Sequence, residues 1–150
     1  LSLYGVSMGA ATVLMAAGLD LPENVKGIIA DCPYSSPGDI IRKVARDMHM
    51  PDRLAWPFVK IGGRVYGGFD VDEMDAARAV KLATVPILII HGESDSFVPC
   101  EMSDIAAENP ALVTRYTFPG ADHGFSYLVD TPRYKKIVTE FAEKALAPKA

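Results

Sequence analysis

Residues 85–90 read Val-Pro-Ile-Leu-Ile-Ile, the longest clean apolar run in the chain, with no polar residue alternating among the aliphatic ones. A strand with one face in water alternates; an unbroken run asks for cover on both faces, as in a parallel sheet flanked by helices. The run is far short of the roughly 20 residues that span a bilayer. Shorter strand signals stand at Leu1–Tyr4, Val25–Ala30 and Leu112–Phe118. Between them lie stretches of helical spacing. Strands separated by helices imply parallel strands joined by helical crossovers, an α/β architecture.

The helical stretches differ in character. Residues 8–18 are apolar nearly all round, as expected of a helix buried on several sides. Ser35-Ser36-Pro37 opens an amphipathic helix, with Ile40, Ile41, Val44 and Met48 on one face and Arg42, Lys43, Arg46 and Asp47 off it. Helices are expected again at 73–82, 99–107 and 130–147, the last with a stripe of Tyr134, Ile137, Val138, Phe141 and Ala145. The stretch 37–82 is too long for one simple crossover and reads as a helical insertion above the sheet.

A chain of 150 residues is the size of one domain, and 49% hydrophobic with 23% charged residues is a globular balance. Fifteen basic residues against 19 acidic ones leave a net charge of −4, the wrong sign for a nucleic-acid face. Cys32 and Cys100 lie far apart, in no C-x-x-C pair, and read as free thiols unless an oxidising compartment joins them. Residue 1 is Leu, so no targeting signal can be read; the compartment stays open, with the cytoplasm as the default.

Three short segments carry chemistry. Gly5-Val6-Ser7-Met8-Gly9 matches G-x-S-x-G, between a strand tail and an apolar helix. That context is a sharp strand-to-helix turn presenting a serine hydroxyl at the sheet's edge, with small flanking residues allowing close backbone approach. His91-Gly92-Glu93-Ser94-Asp95 follows the strongest strand and puts a carboxylate in a loop at a strand's C-terminal end, where α/β folds place functional groups. Gly120-Ala121-Asp122-His123-Gly124-Phe125 sets a histidine in the loop between the last strand and the last helix.

The order Ser, Asp, His is that of the α/β-hydrolases, and the three segments together resemble the C-terminal part of an α/β-hydrolase of the esterase and serine-aminopeptidase kind. The resemblance spans nearly the whole chain. It implies a serine hydrolase cleaving a carboxylic ester through an acyl-enzyme, with Ser7 as nucleophile, Asp95 as triad acid and His123 as general base. Met8, next after the serine, supplies one oxyanion-hole N–H, and 37–82 becomes the lid. Such chemistry needs no metal or organic cofactor, and its partner is a small-molecule ester or acyl substrate. Members of the family carry further strands before the nucleophile and a second oxyanion donor in an early loop. Only four residues precede Gly5 here, so the chain is expected to be part of a longer protein.

Other assignments compete for the same residues. Asp31 ends a strand at the same edge and rivals Asp95 as triad acid. Asp122 adjoins His123 in sequence, which makes a productive side-chain contact harder. His91 is expected to be structural and His49 to be an exposed lid residue; no histidine pair has metal-binding spacing. Gly62-Gly63 and Gly67-Gly68 lack the strand and the Gly-Lys-Ser/Thr ending of a phosphate loop. Tyr34, Phe97 and Phe125 are candidate pocket residues. Aminopeptidase or acyltransferase chemistry, or a binding protein on a hydrolase fold, are the alternative functions.

Overall fold

Four strands, β1 (Ser2–Val6), β2 (Gly27–Asp31), β3 (Ile87–Gly92) and β4 (Val113–Phe118), lie side by side in that order, all parallel. The computed structural model describes residues 1–147, apart from the side chains at 52, 54 and 55. Every residue of β2 and β3 is buried, and alternate side chains enter two separate cores. Ile28, Ile87 and Ile89 pack with Ala10, Leu14 and Val80 on one face; Ile29, Leu88 and Ile90 pack with Phe118, Tyr134 and Ile137 on the other. Two covered faces explain the unbroken apolar run. Each fully buried isoleucine contributes about 1.5–3 kcal/mol over an exposed one.

The helices are α1 (Met8–Ala16), α2 (Pro37–Asp47), α3 (Asp52–Gly62), α4 (Ala76–Leu82), α5 (Ser126–Val129) and α6 (Thr131–Leu146). α1 and α4 cover the first core and α6 the second. α2 is capped by Ser36, whose hydroxyl oxygen accepts the Asp39 N–H, and starts at Pro37, whose missing N–H costs nothing there. α2 and α3 pack on each other, with Arg42 over the Trp56 ring at 4.1 Å. Lys43 Nζ donates to the Ser96 carbonyl at 2.8 Å, fastening α2 to the loop after β3.

Two expectations need correction. The 37–82 stretch is not one insertion, because Ala76, Ala79 and Val80 of α4 are buried in the first core. Their small side chains let α4 lie against α1's end: a methyl group on Gly18 would sit 3.0 Å from the Ala79 backbone. α4 is thus the crossover helix into β3, and the segment beside the sheet is 37–73. The helix expected at 99–107 is a 3₁₀ segment over Cys100–Glu108. His49 lies just past α2, exposed and left-handed with φ 57°. Gly62 and Gly63 continue α3 into a π turn at Gly63–Gly67, closed by Gly68 with φ 70°. No helix among the described residues is long and apolar enough to cross a membrane.

Candidate active site

Because all four strands run the same way, their C-terminal ends share one edge, and the turns leaving β1, β2, β3 and β4 carry Ser7, Cys32, Asp95 and His123. Ser7 stands between β1 and α1 with φ 54° and ψ −116°, a conformation that costs a non-glycine residue about 1–3 kcal/mol. Its N–H donates to the Asp31 carbonyl at 2.8 Å, which ties the turn to the neighbouring strand. The turn closes so tightly that a Cβ on Gly5 would lie 2.2 Å from the Gly9 carbonyl oxygen. A Cβ on Gly9 would meet nothing within 4 Å, so the glycine requirement falls on Gly5 rather than on both flanks.

The turn brings three distant side chains into one hydrogen-bonded line. Ser7 Oγ is 2.8 Å from His123 Nε2, and His123 Nδ1 is 2.7 Å from Asp95 Oδ2. The Asp95 side chain is fully buried; its Oδ1 accepts the N–H groups of Phe97 at 3.0 Å and Val98 at 2.7 Å. Gly92 makes the His123 loop possible, since a Cβ there would stand 2.3 Å from the Ala121 carbonyl oxygen. Met8 opens α1, so its N–H is among the first-turn donors that no carbonyl of the helix can take.

The rival carboxyls are placed differently. Asp31 Oδ2 accepts from the Tyr134 hydroxyl at 2.7 Å, and that hydroxyl is 2.9 Å from Tyr4 Oη. Asp31 is 3% exposed, and burial pushes its carboxyl above the ordinary aspartate range. Asp122 Oδ1 accepts the N–H of Ser96 and of His123 itself, both at 2.8 Å. Those bonds, the Ser96 N–H foremost, hold it below its usual range and fix the loop rather than the imidazole ring. Of the three candidate pocket aromatics, Phe97 alone has its ring against His123, edge to face at 5.2 Å and 48% exposed. Phe125 is exposed and Tyr34 half-buried.

Cys32 was not singled out for the site by the sequence, although it follows a strand that ends at this edge. It is buried, with φ 48°, and its Sγ is 4.0 Å from His123 Nε2. Burial, with the Asp31 charge next, pushes the thiol up to about 12, so it is no thiolate nucleophile. Cys32, Asp95 and His123 offer ligand atoms within 4.8 Å of one another. A metal there would have to displace the His123–Asp95 hydrogen bond and ionise that thiol. Cys100 is also free, its Sγ 3.2 Å from Arg115.

Solved structures share this arrangement of strands and helices. A puromycin-hydrolyzing peptidase of Mycobacterium tuberculosis superposes with a TM-score of 0.71 at 20% identity, over 99% of this chain and 22% of that one. The Pyrococcus furiosus esterase Pf2001 gives 0.66 at 20% identity, over 97% and 53%. An acylaminoacyl peptidase of Pyrococcus horikoshii gives 0.67 at 18% identity, over 99% and 24%. The fold is that of the α/β-hydrolases. Among curated proteins, the uncharacterized protein YqkD of Bacillus subtilis (strain 168) is 25% identical over 148 residues, 95% of this chain and 48% of that protein. The chain thus spans about half the length of the curated relative it matches. No protein-family model matches it.

Proposed function

We propose that the protein is a serine hydrolase that cleaves a carboxylic ester, with Ser7 as nucleophile, His123 as general base and Asp95 as the acid that orients it. The observation that carries this reading is the unbroken line from Ser7 Oγ through the His123 ring to Asp95 Oδ2, at 2.8 and 2.7 Å. A serine hydroxyl is a poor nucleophile at neutral pH, so His123 Nε2 takes its proton as Oγ attacks the carbonyl carbon. Asp95 keeps the proton on Nδ1 and stabilises the imidazolium that forms. The Met8 N–H stabilises the oxyanion, and one such donor is worth roughly 3–4 kcal/mol. The imidazolium then protonates the departing alcohol. Water, deprotonated by the same ring, attacks the acyl-Ser7 carbonyl and releases the acid.

The triad fixes the chemistry and not the leaving group, and two of the matched structures are peptidases, so amide cleavage is the second reading. In the proposed enzyme, segment 37–73 acts as the lid, fastened beside the site by Lys43 on Ser96, and Phe97 lines the acyl pocket. The full-length protein is to be assayed on p-nitrophenyl esters and on aminoacyl p-nitroanilides, beside Ser7→Ala. Ester turnover exceeding anilide turnover, and lost in Ser7→Ala, is the expected result. Preference for the anilides would move the assignment to peptidase. Turnover surviving Ser7→Ala would remove Ser7 as nucleophile.

A further inference from the structure

Asp95 Oδ2 is close to two imidazoles. Besides His123 Nδ1 at 2.7 Å, His91 Nε2 stands 3.3 Å from the same oxygen. His91 is the last residue but one of the fully buried strand β3 and is itself 0% exposed. Its Nε2 also lies 3.0 Å from the Val98 carbonyl oxygen, which can only accept, so Nε2 carries the hydrogen. Nδ1 has no partner among the described residues and is therefore the bare nitrogen, since a buried N–H without an acceptor costs more. Burial, ahead of its other influences, pushes His91 below the ordinary histidine range, which keeps the ring neutral. Asp95 thus has the Phe97 and Val98 N–H groups on Oδ1 and the His123 ring on Oδ2, with the His91 Nε2–H, bonded to the Val98 carbonyl, 3.3 Å to the side of that same Oδ2.

We propose that His91 is a positioning residue that acts on His123 through Asp95, its Nε2–H drawing charge from the oxygen that His123 uses. The proposal rests on the triad reading for its catalytic meaning, though not for its geometry. With the two backbone N–H groups holding Oδ1, the carboxylate keeps its place when His91's proton is removed, and Oδ2 becomes a stronger partner for imidazolium. His123 is then easier to protonate. Other ionisable groups in reach are Arg115, which bears on His91, Asp31, which bears on Asp95 and His123, Asp122, which bears on His123, and Cys32 beside His123. None is altered by substituting His91.

The test is the titration of His123, read by ring ¹⁵N NMR in the wild-type protein, His91→Leu and His91→Gln. In His91→Leu the His123 pKa is expected to rise by about 0.5–1 unit, the scale of one weak hydrogen bond to a charged group. His91→Gln, whose amide keeps an N–H to offer, brings it most of the way back. A His123 titration that stays put or falls in folded His91→Leu overturns the proposal. Should His91→Leu not fold, the wild-type spectrum decides: a protonated Nε2 and bare Nδ1 on His91 support it, and the reverse tautomer overturns it. Fluorophosphonate labelling of Ser7 across pH runs alongside. Its acid limb is expected to move upward with His123 in His91→Leu, because only neutral His123 can take the serine proton. A protein whose His123 follows His91 but never takes the probe sinks the hydrolase reading alone. One labelled at Ser7 whose His123 ignores His91 sinks this proposal alone.

Discussion

Two carboxyl groups end neighbouring strands at the same edge, and their surroundings differ in kind. Asp95 is met by backbone and imidazole N–H groups that favour its charge, whereas Asp31 meets a tyrosine hydroxyl and has a buried Oδ1 with no partner. Asparagine at Asp95 leaves His123 Nδ1–H without its carboxylate, and turnover is expected to fall by about 10⁴. Asp31→Asn is expected to leave turnover within a few-fold and to raise stability at neutral pH. The sign follows from burial, which pushes the Asp31 carboxyl up from 3.8 in the folded chain. Such a group contributes its stability fully below the unfolded value and loses it as pH rises through the folded one. The melting temperature of Asp31→Asn, compared with wild type, should therefore exceed it at pH 7 and converge toward it near pH 4. Equal melting curves at both pH values would contradict a buried, readily protonated Asp31.

Elements bring these residues together, and the tightest approach is that of the last loop to β3. A methyl group on Gly92 would strike the Ala121 carbonyl, two residues before His123. Gly92→Ala is expected to cost about 1–3 kcal/mol in denaturant unfolding and to lower turnover by 10²-fold or more, because the loop must move. Turnover falling only in proportion to the folded fraction would show that the loop absorbs the change. On α2, Ile41 and Val44 are half-buried and lie on its apolar side. Changing both to serine should alter relative rates across ester acyl lengths; a uniform loss on every ester, with lower thermal stability, would make them core instead.

Much of this was legible from periodicity and turn chemistry. The β3 run announced a strand covered on both faces, and the Ser7, Asp95 and His123 segments each stood at a strand end. The role of α4 was not legible, because alanine-rich Ala76–Leu82 is too weakly apolar to tell a core crossover from an insertion. Nor was the Asp31–Tyr134–Tyr4 chain, since it joins residues from β2, α6 and β1 that no local pattern connects. The second imidazole on Asp95 was hidden for another reason. His91 reads as a structural residue ahead of the Asp95 loop, and no local pattern shows that the chain returns at Val98 to meet its ring.

Over the whole chain, the sheet is open at β1, where Tyr4 and Val6 are exposed on an edge strand and Met8 just beyond is 71% exposed. An apolar edge with unpaired backbone groups is a template for association. The 150-residue polypeptide by itself is expected to elute from size exclusion, with light scattering, above the 16.2 kDa of a monomer. A clean monomer at high concentration would mean the edge is protected. The central claim, that strand ends converge to make Ser7 a nucleophile driven by His123, is tested most directly by a covalent probe. The full-length protein, treated with a fluorophosphonate and mapped by peptide mass spectrometry, is expected to carry one adduct, on Ser7. That adduct should disappear in Ser7→Ala and form far more slowly in His123→Ala. Labelling on another residue, or at an unchanged rate without His123, would contradict the claim.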